Sequence, residues 1–258
     1  MEITDFRMDY FSLKGKNAIV TGGNTGLGQA FSLALAKGGA NIVMASIMPD
    51  DPEFNKVITD EGVKAHYVYA DLTADGTPKK VVDECVETFG SVDILVNCAG
   101  MCFCKEIREF SRKEWDPMIA VNLTAAYEMC QMVTPHFIKQ KSGKIINICS
   151  MFSFLGGQWS PAYAASKHGI AGLTKAFCDE LAQYNVQSNG IAPGYFNTPI
   201  AAQTQADPER NKWVVDHTAE GRWGDVHDLM GTTVFLASQA SQFVNGHILA
   251  VDGGYLTR

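Results

Sequence analysis

The sequence predicts a doubly wound α/β domain, a parallel sheet of about seven strands with helices on both faces. Three observations predict it. Short apolar runs without polar alternation recur along the chain, as strands buried on both faces require. Segments with apolar residues at helical spacing alternate with those runs. No Pro/Gly/Ser-rich linker or internal repeat interrupts the alternation, so residues 1–258 read as one domain.

The elements follow in order. Asn17–Thr21 reads as the first buried strand. Leu27, Ala30, Phe31, Ala34 and Leu35 mark a helix to Lys37, and Gly38-Gly39 stops it. Asn41–Ala45 and Val63–Ala70 read as strands, Val81–Phe89 as a helix and Val92–Val96 as the fourth strand. A long helix is expected over Trp115–Lys139, then a strand at Lys144–Cys149. A helix over Tyr163–Tyr184, a strand at Val186–Ala192, a helix over Asp225–Ser238 and a strand at His247–Val251 complete the pattern. Phe196–Arg222 is the least regular stretch; it is polar and holds Pro199 and Pro208. Loops at the carboxyl ends of such strands form the ligand crevice, so this segment is expected to cover the substrate.

Composition narrows the function. The chain is 46% hydrophobic and 19% charged, which excludes a disordered chain, a collagen-like fibre and a coiled coil. It has no charge-free apolar run of about 18 residues. Its first residues, Met1-Glu2-Ile3-Thr4-Asp5-Phe6-Arg7, lack the pattern of a secretory leader, so a cytoplasmic location is expected. A net charge of −7 argues against nucleic-acid or anionic-membrane partners. Seven cysteines, an odd number, read as reduced thiols. Cys98, Cys102 and Cys104 are close in sequence, but no second Cys or His group with zinc spacing accompanies them, so no metal is expected.

Chemistry enters at the loop Thr21-Gly22-Gly23-Asn24-Thr25-Gly26-Leu27-Gly28. Its glycines allow a sharp turn and the close approach of a phosphate, and the helix that follows presents free N–H groups and a positive dipole end. Taken singly, such a loop is also an ordinary strand-to-helix turn. Further along stand Asp71-Leu72, Asn97-Cys98-Ala99-Gly100, Asn122, Ser150, Tyr163-Ala164-Ala165-Ser166-Lys167, and Pro193-Gly194 followed by Thr198. In this order and at these intervals, the motifs resemble the short-chain dehydrogenase/reductase family over essentially the whole chain. One departure is Cys98, where the family carries a second Asn.

The resemblance implies a Rossmann-like fold and a nicotinamide cofactor held by Gly22, Asn24, Thr25, Gly26, Leu27, Gly28, Ser46, Asp71, Leu72, Asn97, Ala99, Gly100, Tyr163, Lys167, Pro193, Gly194 and Thr198. It implies a catalytic set of Asn122, Ser150, Tyr163 and Lys167. Tyr163 would exchange a proton with the substrate oxygen. Ser150 would hold that oxygen, Lys167 would also bind the nicotinamide ribose, and Asn122 would hold a relay water. Tyr163 and Lys167 are four apart and share a helix face. A free tyrosine titrates near about 10, and a lysine cation one turn away is expected to lower it.

An acid at the end of the second strand ordinarily selects NAD by binding the adenosine ribose. Ser46 takes that position, and no Arg or Lys lies nearby for the extra phosphate of NADP. Asp50 and Asp51 would repel such a phosphate, so NAD is expected, with NADP left open. Thr25-Gly26-Leu27-Gly28-Gln29, Gly143–Ile148, Ser150–Phe154 and Gly221-Arg222-Trp223-Gly224 most resemble the family's sugar-acid dehydrogenases, of the 2-dehydro-3-deoxygluconate or gluconate type. Gln158 and Trp159 lie on a loop after Ser150, and Lys105, Arg108, Arg210 and Arg222 are possible partners for a substrate carboxylate. Phe152, Phe154, Leu155, Trp159, Tyr195 and Phe196 keep open an apolar cleft, for a hydrophobic ketone or a 3-oxoacyl thioester. A nucleotide-sensing protein without turnover is the non-enzyme alternative, though it would be expected to carry a broken catalytic set. The resemblance also implies a homotetramer, and the apolar C-terminus at Tyr255-Leu256 fits burial against a partner subunit.

Overall fold

The computed structural model describes residues 5–258, and of Ile200 its backbone. Residues 1–4, within the N-terminal segment read above for a leader, lie outside the described residues. Seven strands form one sheet: β1 (Asn17–Thr21), β2 (Asn41–Ser46), β3 (Ala65–Tyr69), β4 (Ile94–Asn97), β5 (Gly143–Ile148), β6 (Val186–Pro193) and β7 (Ile248–Val251). Their spatial order is β3-β2-β1-β4-β5-β6-β7, and every pairing is parallel. The order in which strands are laid down therefore reverses between β1 and β4, where Thr21 pairs with Asn97. In this architecture a ligand crevice opens at that reversal, beyond the carboxyl ends of the strands.

Alternate residues of the strands feed two cores. Ala18 and Val20 of β1 join Ile42, Met44 and Ile146 under α1 (Gly26–Lys37) and the late helix His227–Ala237. Ile19, Val43, Leu95 and Ile145 face the other side, beneath α3 (Thr77–Phe89) and α5 (Ala125–Gln140). Both faces are dry, which is why the strands read as unbroken apolar runs.

Several boundaries differ from the sequence reading, each for a local reason. The long helix begins at Arg112 because Ser111 and Glu114 form a capping box, giving α4 (Arg112–Ile119). It runs into α5 through a π-helical turn at Ala120–Thr124, closed by Ala125 N–H bonding to the Ala120 carbonyl. A helix absent from the sequence reading, α2 (Pro52–Thr59), is capped by Asp51, whose carboxylate accepts from Phe54 N–H at 3.0 Å. The stretch read as least regular, Phe196–Arg222, is largely helical. After β5, α6 spans Pro161–Leu181, and that stretch then supplies α7 (Ala202–Ala206) and α8 (Pro208–His217). Pro199 and Pro208 do not break helices here. They occupy first turns, where a missing N–H costs nothing, and Asp207 caps α8 through Glu209 and Arg210 N–H. The late helix His227–Ala237 is α9.

Candidate active site

Two strand ends build the floor of the cleft. The Thr21 hydroxyl accepts from the N–H groups of Cys98 (2.9 Å) and Ala99 (3.0 Å), fastening the turn after β4 to the end of β1. Gly22 turns the chain with φ +66°, and a Cβ there would stand 3.3 Å from Ala99 Cα. A Cβ on Gly28 would meet the Gly22 carbonyl oxygen at 2.0 Å, so no other residue fits. No side chain caps the start of α1, because Thr25 makes no capping bond. Its terminal N–H groups remain for an anion.

The rest of the predicted cofactor contour lies around this loop. Asn24 Nδ2 donates to Pro49 O at 2.8 Å and ties the glycine loop to the segment after β2, while its Oδ1 is buried with no partner. Ser46 is buried at the end of β2, and its hydroxyl accepts from Met48 N–H. Asp71 folds back on Thr73 N–H and Oγ, bonds that hold its carboxyl below the usual range, while Leu72 is buried beside it. Gly26 and Thr198 face one cavity of about 330 Å³. Gly194, after Pro193, passes so close to Asp252 that a Cβ would stand 2.8 Å from its Cα. A glycine cradle, an uncapped helix start and an orphaned buried acceptor fit a dinucleotide. The Asn97 side chain turns inward, its Nδ2 donating to Asn147 Oδ1 (2.8 Å) and Ala126 O (3.4 Å). Its part is to fix the chain before Ala99 and Gly100.

The four predicted catalytic residues converge from three elements. Ser150 follows β5, and its hydroxyl, which accepts from Phe152 N–H at 3.2 Å, lies close enough to Tyr163 on α6 to pull the phenol down. Lys167, one turn on, lies with Nζ 5.4 Å from the Tyr163 ring centroid and donates to Ile148 O at 2.6 Å. Phe152 packs edge-on against the Tyr163 ring, centroids 6.1 Å apart. Asn122 lies in the π turn, where its amide brackets Met101. Oδ1 accepts from Met101 N–H at 2.8 Å and Nδ2 donates to Met101 O at 2.9 Å and Ser166 Oγ at 3.3 Å. Both ends of that amide are engaged, and Oδ1 keeps one lone pair for a further donor.

Burial pushes the Tyr163 hydroxyl up, opposite to the lowering expected from Lys167, and Ser150 offsets only part. Burial likewise depresses Lys167. Tyr255, expected to be buried against a partner subunit, is already buried within its own chain, its ring 5.6 Å from Tyr195 and 6.1 Å from Trp213.

The sequence reading missed Ser153 and Ser160. Ser153 Oγ donates to Lys167 O at 2.7 Å and accepts from Ser150 N–H, so it holds both residues in place. Ser160 precedes α6 and donates to Phe103 O at 2.7 Å. Ser153, three residues past Ser150, carried a spacing signal; Ser160 carried none. Of the possible carboxylate partners, Lys105 pairs with Glu114, Arg108 with Glu106, and Arg222 with both Glu220 and Asp228. Arg210 instead lies over the Trp159 ring, 4.1 Å from its centroid. Gln158 precedes that tryptophan on the same loop. Among the described residues no cluster of three or more His, Cys, Asp or Glu could hold a metal, and no helix is long and apolar enough to cross a membrane.

Comparison with known proteins agrees with this geometry. An uncharacterized oxidoreductase of Escherichia coli K12 is 59% identical over 253 residues, covering 98% of this chain and 97% of that protein. The 2-dehydro-3-deoxy-D-gluconate 5-dehydrogenase of the same strain is 46% identical over 250 residues, 96% of this chain and 98% of its own. The structure of a gluconate 5-dehydrogenase from Burkholderia cenocepacia J2315, in complex with NADP and tartrate, superposes with a TM-score of 0.91 at 37% identity, covering 97% of this chain and 98% of that one. Residues 16–209 match the profile of the short chain dehydrogenases. Together with the seven-stranded parallel sheet, these matches place the chain in the short-chain dehydrogenase family of NAD(P)-dependent oxidoreductases.

Proposed function

We propose that this enzyme interconverts a ketone and a secondary alcohol on a sugar acid of the 2-dehydro-3-deoxygluconate or gluconate type. The observation that carries the substrate class is Arg210. Its guanidinium is stacked over Trp159, and its one ion pair is a loose 3.5 Å contact with Asp207, the cap of its own helix. Trp159 itself stands just before α6, the helix that carries Tyr163. A planar cation placed there suits a carboxylate bidentately. Trp159 holds φ +63°, an uncommon conformation for a bulky residue, fixed by Lys105 N–H bonding to its carbonyl at 2.7 Å. The names of the sugar-acid relatives support the same reading.

In reduction, Tyr163 donates its phenolic proton to the carbonyl oxygen while Ser150 hydrogen-bonds that oxygen and orients it. In oxidation, the phenolate takes the alcohol proton. Lys167 supplies positive charge beside the ring, and Ser153 and Asn122 hold the helix and the Met101 segment in register. The nicotinamide, when bound, supplies or receives the hydride. Gly22, Asn24, Thr25, Gly26, Leu27 and Gly28 would hold its pyrophosphate side. Ser46, Asp71 and Leu72 would hold the adenosine end, and Ala99, Gly100, Pro193, Gly194 and Thr198 the rest. Asp50 and Asp51 near Ser46 favour NAD over NADP, and the segment after β6 with α7 and α8 covers the substrate. Subunits associate as a homotetramer through the exposed faces of α5 and α6, where Tyr127 is open to solvent.

A second reading rests on Phe154 and Leu155, half-exposed on the loop after Ser150, which suit a hydrophobic ketone. NADH oxidation with 5-ketogluconate and with the 2,5-diketo-3-deoxy acid, run against hydrophobic ketones, separates the two. Turnover confined to the hydrophobic ketones overturns the sugar-acid reading.

A further inference from the structure

The segment after Gly100 carries two thiols that the reaction does not use. Cys102 and Cys104 lie in a segment without regular structure, with Sγ atoms 4.0 Å apart. Cys102 is half-buried and Cys104 is exposed. A disulfide requires about 2.05 Å between sulfurs, so closure shortens the present separation by about half, through side-chain rotation and adjustment of that segment. The segment is also strung to the catalytic machinery at several points. Met101 is bracketed by Asn122, Cys102 Sγ lies 3.5 Å from Ser160 Oγ, Phe103 O accepts from Ser160, and Lys105 N–H bonds to Trp159 O. Ser160 and Trp159 stand just before the helix that carries Tyr163.

We propose that Cys102 and Cys104 form a reversible oxidation site at the mouth of the catalytic cleft, which takes a peroxide or a low-molecular-weight disulfide and closes to an intramolecular disulfide that lowers turnover. With peroxide, the Cys104 thiolate attacks one oxygen, the O–O bond breaks, and Cys104 becomes a sulfenic acid as hydroxide leaves and takes up a proton. The Cys102 thiol then attacks that sulfur, the S–S bond forms, and the sulfenic oxygen leaves as water. Two thiols lose two electrons and two protons, and one peroxide becomes two waters. With a low-molecular-weight disulfide, the Cys104 thiolate displaces one thiolate to give a mixed disulfide, and Cys102, giving up its proton, attacks the Cys104 sulfur and displaces the second; a dithiol reverses either route by exchange.

The chain directs oxidation to this pair. The bond from Cys102 and, more weakly, the Arg210 cation pull the Cys104 thiol down, which favours the attacking thiolate. Burial pushes the thiols of Cys85, Cys98 and Cys130 up to about 12 and that of Cys149 up to about 11, and Cys102 is pushed up too, by its bond to Cys104 and by burial, which leaves Cys104 as the attacking thiol. Cys178 is also pushed up by burial. Closure draws Cys102 away from Ser160 and moves Phe103, disturbing the entry to α6 and the seat of Trp159.

The test exposes the full-length enzyme to hydrogen peroxide or glutathione disulfide, then reads peptide masses and turnover before and after dithiothreitol. The expected result is a peptide spanning Cys102 and Cys104 that is lighter by two hydrogens, with turnover lowered at least about fivefold and restored by the dithiol. Cys104→Ser should keep full turnover and resist the oxidant. Cys102→Ser should stop at an oxygen or glutathione adduct on Cys104. The mass reading needs no substrate, so it stands apart from the assignment of the sugar acid. The proposal fails if the wild type carries only an adduct or a disulfide elsewhere. It fails too if the 102–104 disulfide leaves turnover unchanged, or if Cys104→Ser is inactivated equally.

Discussion

The Lys167 ammonium donates a 2.6 Å hydrogen bond to the Ile148 carbonyl and stands 5.4 Å from the centre of the Tyr163 ring. The same burial that raises the tyrosine depresses this lysine. Ketone reduction needs the protonated phenol, and a raised tyrosine keeps it protonated throughout the neutral range. Alcohol oxidation needs the phenolate, so its kcat should climb with pH from about 7 to about 10 while the reduction rate stays flat over neutral pH. Rates in both directions across that range check this; an oxidation rate that falls with rising pH contradicts it.

Tyr163→Phe keeps the ring and its edge-on contact with Phe152 but removes the hydroxyl that faces Ser150. We expect kcat to drop by about a hundredfold to ten-thousandfold, the usual worth of a positioned acid. Cofactor fluorescence titration should show binding nearly unchanged, and thermal unfolding should move little. Unimpaired turnover in this variant would remove Tyr163 from the chemistry.

Lys144 is buried on β5, and its ammonium has only the Ser241 hydroxyl, at 3.3 Å. Burial pushes it down to about 8. Between that value and about 10.4, where a free lysine titrates, the unfolded chain binds more protons than the folded one. Stability contributed by this group therefore rises with pH through that window, and below it the charged lysine carries a constant penalty. Lys144→Met should raise neutral-pH stability by about 2 kcal/mol and flatten the rise between about pH 8 and 10. Denaturant unfolding at neutral and alkaline pH measures both, and a loss of stability at neutral pH contradicts the prediction.

Around Ser46 the fixed charges are carboxylates. Asp51 caps α2 and Asp50 accepts from Asn55. A phosphate on the adenosine ribose would face them without a cation, so kcat/KM should favour NADH over NADPH by about tenfold or more. Ser46→Arg should narrow or reverse that ratio. A wild-type preference for NADPH contradicts the charge argument.

Much of the site was legible because its chemistry is local in sequence. The Gly22–Gly28 loop and the Tyr163–Lys167 pair each sit within a few residues, flanked by recognisable elements. Helix α2 and the true start of α4 were legible too, in Asp51-Pro52 and in Ser111 with Glu114, but as capping signals rather than apolar periodicity. The helices within Phe196–Arg222 were hidden because Pro199 and Pro208 suggest breaks and serve instead as first-turn residues. The packing of Tyr195 on Tyr255 had no sequence signal, since the two residues come from distant loops brought together by β6 and β7. The direction of the Tyr163 shift needed burial, which a four-residue spacing does not supply.

The central claim is that Arg210 over Trp159 reads a substrate carboxylate for a ketone reduced at Tyr163. The most direct measurement is kcat/KM for a keto-sugar acid and for a neutral ketose of equal length, in the wild type and in Arg210→Met. We expect the wild type to prefer the acid by at least about tenfold, and the variant to lose that preference through KM with kcat little changed, as a lost charge-assisted contact requires. Equal use of the acid and the neutral ketose by the wild type, or an unchanged preference in Arg210→Met, would contradict it.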